Sequence, residues 1–222
     1  MCKSKSVSAM KAAREYQNPE KISRYVSRLR GSRTDRLETM CLKAAIDFLY
    51  MPGEISVLDI PCGTGRIGKL LKQNGYRVTG ADISSLMVEL ARDAGYDMLK
   101  VADVFETGFS DKEFDLVICH RLLQYFNEAE DRRNALCELC RISKGPVIVS
   151  FSCLWALDHL WYKVRRLLGI KRKRSCVPIG WLDFLSDAHA ANLDVIKWIA
   201  ARPLISKRWY AIMRPLRKAN FD

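Results

Sequence analysis

The sequence predicts an α/β fold: a mostly parallel sheet with helices on both faces and one reversed strand near its C-terminal end. Three observations predict it. Short apolar runs alternate with amphipathic helical stretches along most of the chain, as strand–helix–strand units of a parallel sheet do. A glycine-bearing turn, VLDIPCGTGRIG at 57–68, joins the first such run to a helix. The last two apolar runs, 193–200 and 204–213, are separated by too few residues for a parallel crossover, so they are expected to pair antiparallel.

Each element has its own signature. Over 35–50, apolar residues fall at Leu37, Met40, Cys41, Ala44, Ala45 and Phe48, a stripe of about 3.6-residue period, and Pro52-Gly53 stops that helix. Strands are expected over 55–60, 76–81, 98–102, 114–119 and 147–151. Helices are expected over 66–74, 84–94 and 128–142, the second opening on serine and closing on Gly95. A further helix over 181–191 precedes the antiparallel pair, and an insertion at 152–180 is aromatic first and basic later.

With 222 residues, 49% apolar and 28% charged, the chain is long enough for one substantial domain, and its composition excludes wholesale disorder and collagen-like repetition. The N-terminus is basic without an apolar core, so no signal peptide is expected. The longest apolar stretch, around 147–157, is broken by serines and shorter than the ~20 residues of a spanning helix. A soluble, cytoplasmic chain is expected, touching a membrane only at its surface. Among eight cysteines, Cys137 and Cys140 lie three apart on a predicted helix and read as packing thiols; zinc or redox chemistry is not indicated. The net charge of +12 is unevenly spread. Residues 1–36 carry ten basic residues against three acids, 163–174 seven against none, and 200–222 six against one, whereas 37–162 hold thirteen against eighteen. A mildly acidic core with anion-attracting appendages fits this pattern, as do solvated helix faces.

The chemistry is concentrated in the glycine turn. Asp59 ends the first strand, and Gly63 and Gly65 allow a tight turn and close approach of a ligand. Asp82 ends the second strand, where a carboxylate can accept from a ribose diol. Ligands of open parallel sheets bind outside the carboxyl ends of the strands, so 59–65, Asp82, 102–104 and Cys119-His120 are expected to converge on a nucleoside-containing cofactor. Gly63-x-Gly65-x-x-Gly68 followed by Asp82 also fits the dinucleotide fingerprint. A carboxylate beside the turn would repel a pyrophosphate, however, and would hold an amine, which favours S-adenosylmethionine. The plainer alternative for Asp59 is a turn-capping residue.

VLDIPCGTGR, VTGADIS, VADVFE and FDLVICHRLLQYF, in that order and spacing, resemble the class I S-adenosylmethionine-dependent methyltransferases over roughly 55–152. The resemblance implies a Rossmann-like seven-stranded sheet with a reversed terminal strand. It implies that Asp59, Gly63 and Gly65 surround the methionine part, that Asp82 holds the ribose, that Asp103 and Val104 lie at the adenine, and that Cys119 and His120 lie beside the sulfonium. S-adenosylhomocysteine would be the product. Arg66 matches a CGTGR variant of the motif, pairing with a carboxylate or facing solvent. Within a basic N-terminal segment expected over 1–36, EYQNPEKISRYVSRLRGSR resembles a tyrosine-bearing lid, in which Tyr16, Tyr25 and Arg28 would close over the cofactor; a basic surface helix is the alternative. Residues 37–222 would form the methyltransferase domain.

His120 is the expected general base, because it follows the fourth strand and imidazole titrates near neutrality; local packing is the alternative. His159 and His189, on predicted helices, read as partly buried structural residues. The segment 152–180 is the expected substrate-side cap, with apolar area from Trp155, Leu157, Leu160, Trp161 and Leu168 and charge from 163–174. That combination suits a small molecule, a lipid-linked or envelope-type intermediate, or an anionic membrane surface. Nucleic acid is less favoured, since CHRL stands where base-modifying relatives carry an NPPY-like or DPPY-like tetrapeptide, and Cys62 lies in the cofactor loop. Two rival readings are an NAD(P)-dependent oxidoreductase on a similar sheet and a non-catalytic domain that binds membrane or RNA through its basic segments.

Overall fold

The computed structural model describes residues 17–29, 31–153, 164, 167, 168, 177–201 and 208–216, without the side chains of 21, 25, 28 and 29. Two helices, α1 (Pro19–Leu29) and α2 (Arg33–Leu49), precede the sheet. Then follow β1 (Ser56–Asp59), α3 (Arg66–Gln73), β2 (Arg77–Asp82), α4 (Ser85–Leu90), β3 (Met98–Val101), β4 (Leu116–Cys119), α5 (Ala129–Ile142), β5 (Val147–Ser152), α6 (Trp181–Ala190), β6 (Leu193–Ile199) and β7 (Arg208–Pro215). The seven strands lie in the order β3-β2-β1-β4-β5-β7-β6. β7 runs antiparallel to both β5 and β6, and the other pairs are parallel.

Strand composition follows position in the sheet. β1, β4 and β5 are buried along their whole length, whereas edge strand β3 is exposed at both ends. A central strand of a parallel sheet is covered on both faces, so its sequence is continuously apolar. Alternate residues feed two cores. Val57, Leu116, Ile118, Ile148 and Ile212 meet α2 and α3 through Leu42, Ala45, Ile46, Ile67 and Leu71. Leu58, Val117, Val149 and Met213 meet α5 and α6 through Leu136, Leu139 and Phe184. Phe184 stacks on Phe151 of β5 with ring centroids 4.3 Å apart.

Local chemistry sets the helix starts. Ser32 Oγ accepts from the Asp35 amide at 3.1 Å, and the Asp35 carboxylate accepts from the Gly31 amide at 3.0 Å, a reciprocal cap that starts α2 at Arg33. α2 therefore runs through residue 36, where the N-terminal segment was expected to end. Ser84 Oγ caps α4 by accepting from the Met87 amide at 3.3 Å. The expected helix over 84–94 is two pieces, α4 and a 3-10 turn at Arg92–Ala94, closed by left-handed Gly95. The first four residues expected of the last strand, 204–207, lie outside the described residues; the strand is described from Arg208 and runs to Pro215. No helix among the described residues is long and apolar enough to cross a membrane.

Candidate active site

At the tip of β1 the chain makes one more ladder bond, from the Ile60 amide to Ile118 O at 2.9 Å, and then turns through a cis Ile60–Pro61 peptide. The Cys62 amide donates to Ala81 O at 2.8 Å, and the turn closes with Gly65 N–H on Cys62 O at 3.0 Å. Gly65 is left-handed (φ 79°), and a Cβ there would lie 2.2 Å from Ala94 Cβ. Gly68 and Gly80 leave room for the Tyr96 ring, which a Cβ at either position would meet at 2.6 and 2.9 Å. The Tyr96 hydroxyl, seated in that notch, donates to Asp59 Oδ2 at 2.6 Å.

Asp59 is fully buried and does not line the cleft, which corrects the expectation that its carboxylate faces a ligand amine directly. Strand alternation is the reason: Asp59 shares the face of Val57, under α3 and Tyr96, so it sits one layer behind the turn. Burial pushes its carboxyl up to about 7, against the hydrogen bond from Tyr96 and the charge of Arg66. Its Oδ1 has no hydrogen-bond partner among the described residues.

The cleft itself opens beside the point where the strand order reverses, between the tips of β1, β2 and β4. Asp82 is in its wall. Its Oδ2 accepts from the Gly63 amide and its Oδ1 from the Ser84 amide, both at 2.9 Å, so one carboxylate ties the glycine turn to the cap of α4. Burial raises the Asp82 pKa, and the backbone donors at Ser84 and Gly63 oppose the rise. Gly63 also lines the cleft, and a Cβ there would meet nothing within 4 Å. Asp103 and Val104 lie opposite, where Asp103 Oδ1 accepts from the Phe105 amide at 3.0 Å. Phe105, Tyr125 and Phe126 make an apolar wall; Phe105 and Phe126 pack with centroids 5.1 Å apart. Cys119 is placed elsewhere than expected: it belongs to the core under the cleft, out of its lining, and burial pushes its thiol far up.

His120 lines the cleft but is engaged behind it. Its Nε2 touches Arg66 Nη2 and lies 3.4 Å from Glu38 Oε2, and its ring stacks on Tyr210, centroids 5.6 Å apart. A guanidinium can only donate, so Nε2 accepts and the proton is assigned to Nδ1. Burial, reinforced by the charge of Arg66, drives the imidazole down to about 3 despite the contact with Glu38. A neutral ring of such low basicity takes up little proton at neutral pH, so this setting does not favour the general-base role expected of His120. Arg66, expected to pair with a carboxylate or to face solvent, pairs with two carboxylates, Asp35 at 2.5 Å and Glu38 at 3.2 Å.

Glu38, Tyr96 and Arg121 were missed by sequence reasoning. Only Glu38 carried a signal: it stands three, four and seven residues before Cys41, Leu42 and Ala45, a carboxylate on the buried stripe of α2. Of the expected lid residues, Tyr16 and the side chains of Tyr25 and Arg28 lie outside the described residues. So do Trp155, Leu157, Leu160, Trp161, His159 and nearly all of 163–174, whereas Leu168 is exposed. His189 is exposed at the end of α6, in place of the partial burial expected of it.

A doubly covered parallel sheet with a reversed β7, a glycine turn at the switch point and an acid at the tip of β2 defines a nucleoside-cofactor-binding α/β enzyme class. Residues 58–150 match the family described as methyltransferase domain. The demethylmenaquinone methyltransferase of Thermotoga maritima is 31% identical over 191 residues, 84% of this chain and 78% of that protein. The chain belongs to the class I S-adenosylmethionine-dependent methyltransferase family. A malonyl-[acyl-carrier protein] O-methyltransferase of Buchnera aphidicola is 36% identical over 101 residues, 45% of this chain; the match spans only 40% of that relative's length. Magnesium protoporphyrin IX methyltransferase from Synechocystis PCC 6803, solved with bound SAH, superimposes with a TM-score of 0.72 at 18% identity, covering 93% of this chain and 99% of that one.

Proposed function

We propose that this protein transfers a methyl group from S-adenosylmethionine to a small-molecule acceptor. The observation that carries the reading is Asp82 in the cleft wall, holding the Gly63 turn with one oxygen and the α4 cap with the other. The residues fit the cofactor. Gly63 leaves open space where a side chain would project, Asp82 offers acceptors for the ribose, and Asp103 and Val104 with Phe105 form the adenine end. The unpartnered Oδ1 of Asp59 supplies negative potential beneath the turn, where an ammonium is wanted. When bound, the cofactor supplies a methyl group already activated on sulfonium. The chain's own work is alignment and exclusion of water, and alignment alone can contribute ~7–11 kcal/mol. His120 in this reading positions the cleft floor and leaves proton transfer to the acceptor's own chemistry.

A ligand panel tests this. S-adenosylmethionine and S-adenosylhomocysteine are expected to raise the Tm, and NADH and NADPH to leave it unchanged. At 100 times Kd a ligand adds ~2.7 kcal/mol, roughly 5–10 °C for a chain of this length. Asp82→Ala should lose most of that shift. Stabilisation by the nicotinamides alone would return the site to the oxidoreductase reading.

The acceptor is further read as a lipid-linked or envelope-type intermediate met at an anionic surface, on the support of the seven basic residues and no acids in 163–174. The relatives' named acceptors, malonyl-[acyl-carrier protein] and demethylmenaquinone, differ from one another, so membership in the family does not choose among them. Cosedimentation with vesicles rich in anionic lipid, weakening with salt and missing with zwitterionic vesicles, is the expected result; indifference to lipid charge would remove this part of the reading.

A further inference from the structure

Glu38 lies outside every motif, yet its carboxylate reaches four residues on three segments. Oε2 accepts from both terminal nitrogens of Arg66 at 3.2 Å, and Arg66 is the first residue of α3, directly after the Gly63–Gly65 turn. Oε1 accepts from Arg208 Nε at 3.1 Å, at the start of β7, and lies 3.3 Å from Arg121 Nε. His120 completes the ring at 3.4 Å. The backbone is held as well, since the Tyr210 hydroxyl donates to Glu38 O at 3.2 Å. β5 separates β4 from β7 in the sheet, so this one side chain spans the tips of three adjacent strands. Burial alone would raise its pKa; the charges of Arg121 and Arg208 beside it win, and it stays a carboxylate.

We propose that Glu38 is the positioning residue of the cofactor cleft, holding Arg66 behind the glycine turn and His120-Arg121 at the cleft floor through its contact with β7. The proposal rests on the methyltransferase reading of that cleft. Arg121 shows why a tether is needed: its backbone is left-handed (φ 64°), an unfavourable state for a residue with a Cβ, and Ser150 Oγ accepts its amide at 2.8 Å. Arg66 and Arg121 both line the cleft, so releasing Glu38 loosens Arg121 and leaves Arg66 to Asp35. Arg208 does not line it; its Nε donates to Glu38 and its Nη1 to Gln124, so its share in the Glu38 network is read from the double variant.

The test is S-adenosylhomocysteine affinity by calorimetry at 20 °C, set beside the Tm. Glu38→Gln, which keeps shape and removes charge, is expected to weaken binding about tenfold or more, and Glu38→Asp to recover part of the loss. Arg208→Gln, made from the other side, should weaken binding severalfold, and adding it to Glu38→Gln should cost little more, because both remove one network. Leu42→Ala, a core deletion on the same helix, is the control: its Tm should fall at least as far while affinity stays within twofold. Parent-like affinity in Glu38→Gln overturns the proposal; if that variant does not fold, parent-like affinity in Arg208→Gln does so. Equal loss of affinity in Leu42→Ala also overturns it, by reducing Glu38 to ordinary scaffolding. A parent that ignores S-adenosylhomocysteine sinks the reading of the cleft itself.

Discussion

Asp59→Asn is expected to yield a protein more stable than its parent above pH 8, by about 1–3 kcal/mol, and a poorer binder of S-adenosylhomocysteine. An aspartate titrates near ~3.9 in the unfolded chain. In the folded chain burial lifts Asp59 to about 7, with Tyr96 and Arg66 opposing. Between those values the folded state keeps a proton that the unfolded state has released, so stability falls as pH rises from about 4 to about 7 and is level beyond. At ~1.36 kcal/mol per unit the full fall is roughly 4 kcal/mol. Asparagine keeps an acceptor for the Tyr96 hydroxyl and does not titrate. Its amide nitrogen would sit where Oδ1 now lacks a partner, an unmade donor costing ~1–3 kcal/mol, which brings the net gain to the range above.

Urea unfolding at pH 5 and pH 8.5 reads this directly: the advantage of the variant should grow with pH, pass through zero between about pH 4.5 and about pH 6, and become a deficit of about 1–3 kcal/mol near pH 4. Parallel pH profiles for the two proteins would show that Asp59 is not held neutral in the folded state. Ligand affinity should move the opposite way. A bound ammonium draws Asp59 toward its charged form, so the parent should bind S-adenosylhomocysteine about tenfold better than the variant above pH 7, with the difference closing below pH 6. A site that trades stability for binding in this way is a common feature of functional carboxylates.

What was legible in the sequence, and what was not, divides along a physical line. β1, β4 and β5 announce themselves because both faces are covered and every residue must be apolar. The short link between 199 and 208 compels an antiparallel partner, and β6 and β7 are such a pair. Strand tips were legible too, which is why Asp82, Gly63, Asp103 and Val104 stand in the cleft wall. Side-chain direction at those tips was not. Asp59 and Cys119 end their strands as expected, but alternation turns one under Tyr96 and the other into the opposite core. Long-range polar partners were least legible of all: Glu38 and Arg208 are 170 residues apart, and no local pattern joins them. The space that Gly68 and Gly80 leave for Tyr96 has the same character, since a glycine in a motif does not say which ring fills the gap.

The two glycines of the turn separate stability from binding. Gly65→Ala places a Cβ 2.2 Å from Ala94 Cβ and 3.3 Å from Ala91 Cα, neither of which can swing away, at φ 79°. The left-handed backbone costs ~1–2 kcal/mol and overpacking a further ~1–3, for a total of roughly 2–5 kcal/mol. At ~2–4 °C per kcal/mol for a chain of this size, the Tm should drop by roughly 4–20 °C. Gly63→Ala shares the left-handed backbone (φ 53°), but its Cβ meets nothing, so only the first cost applies and the Tm should fall by a few degrees. Its methyl group, however, enters space on the cleft wall where the ligand's amino-acid part is proposed to lie, and affinity for S-adenosylhomocysteine should fall by an order of magnitude or more. Two thermal melts and two titrations decide the matter. Should Gly63→Ala bind like the parent, the turn does not cradle the ligand; should Gly65→Ala melt like the parent, the turn is not packed against the 3-10 segment as the structure has it.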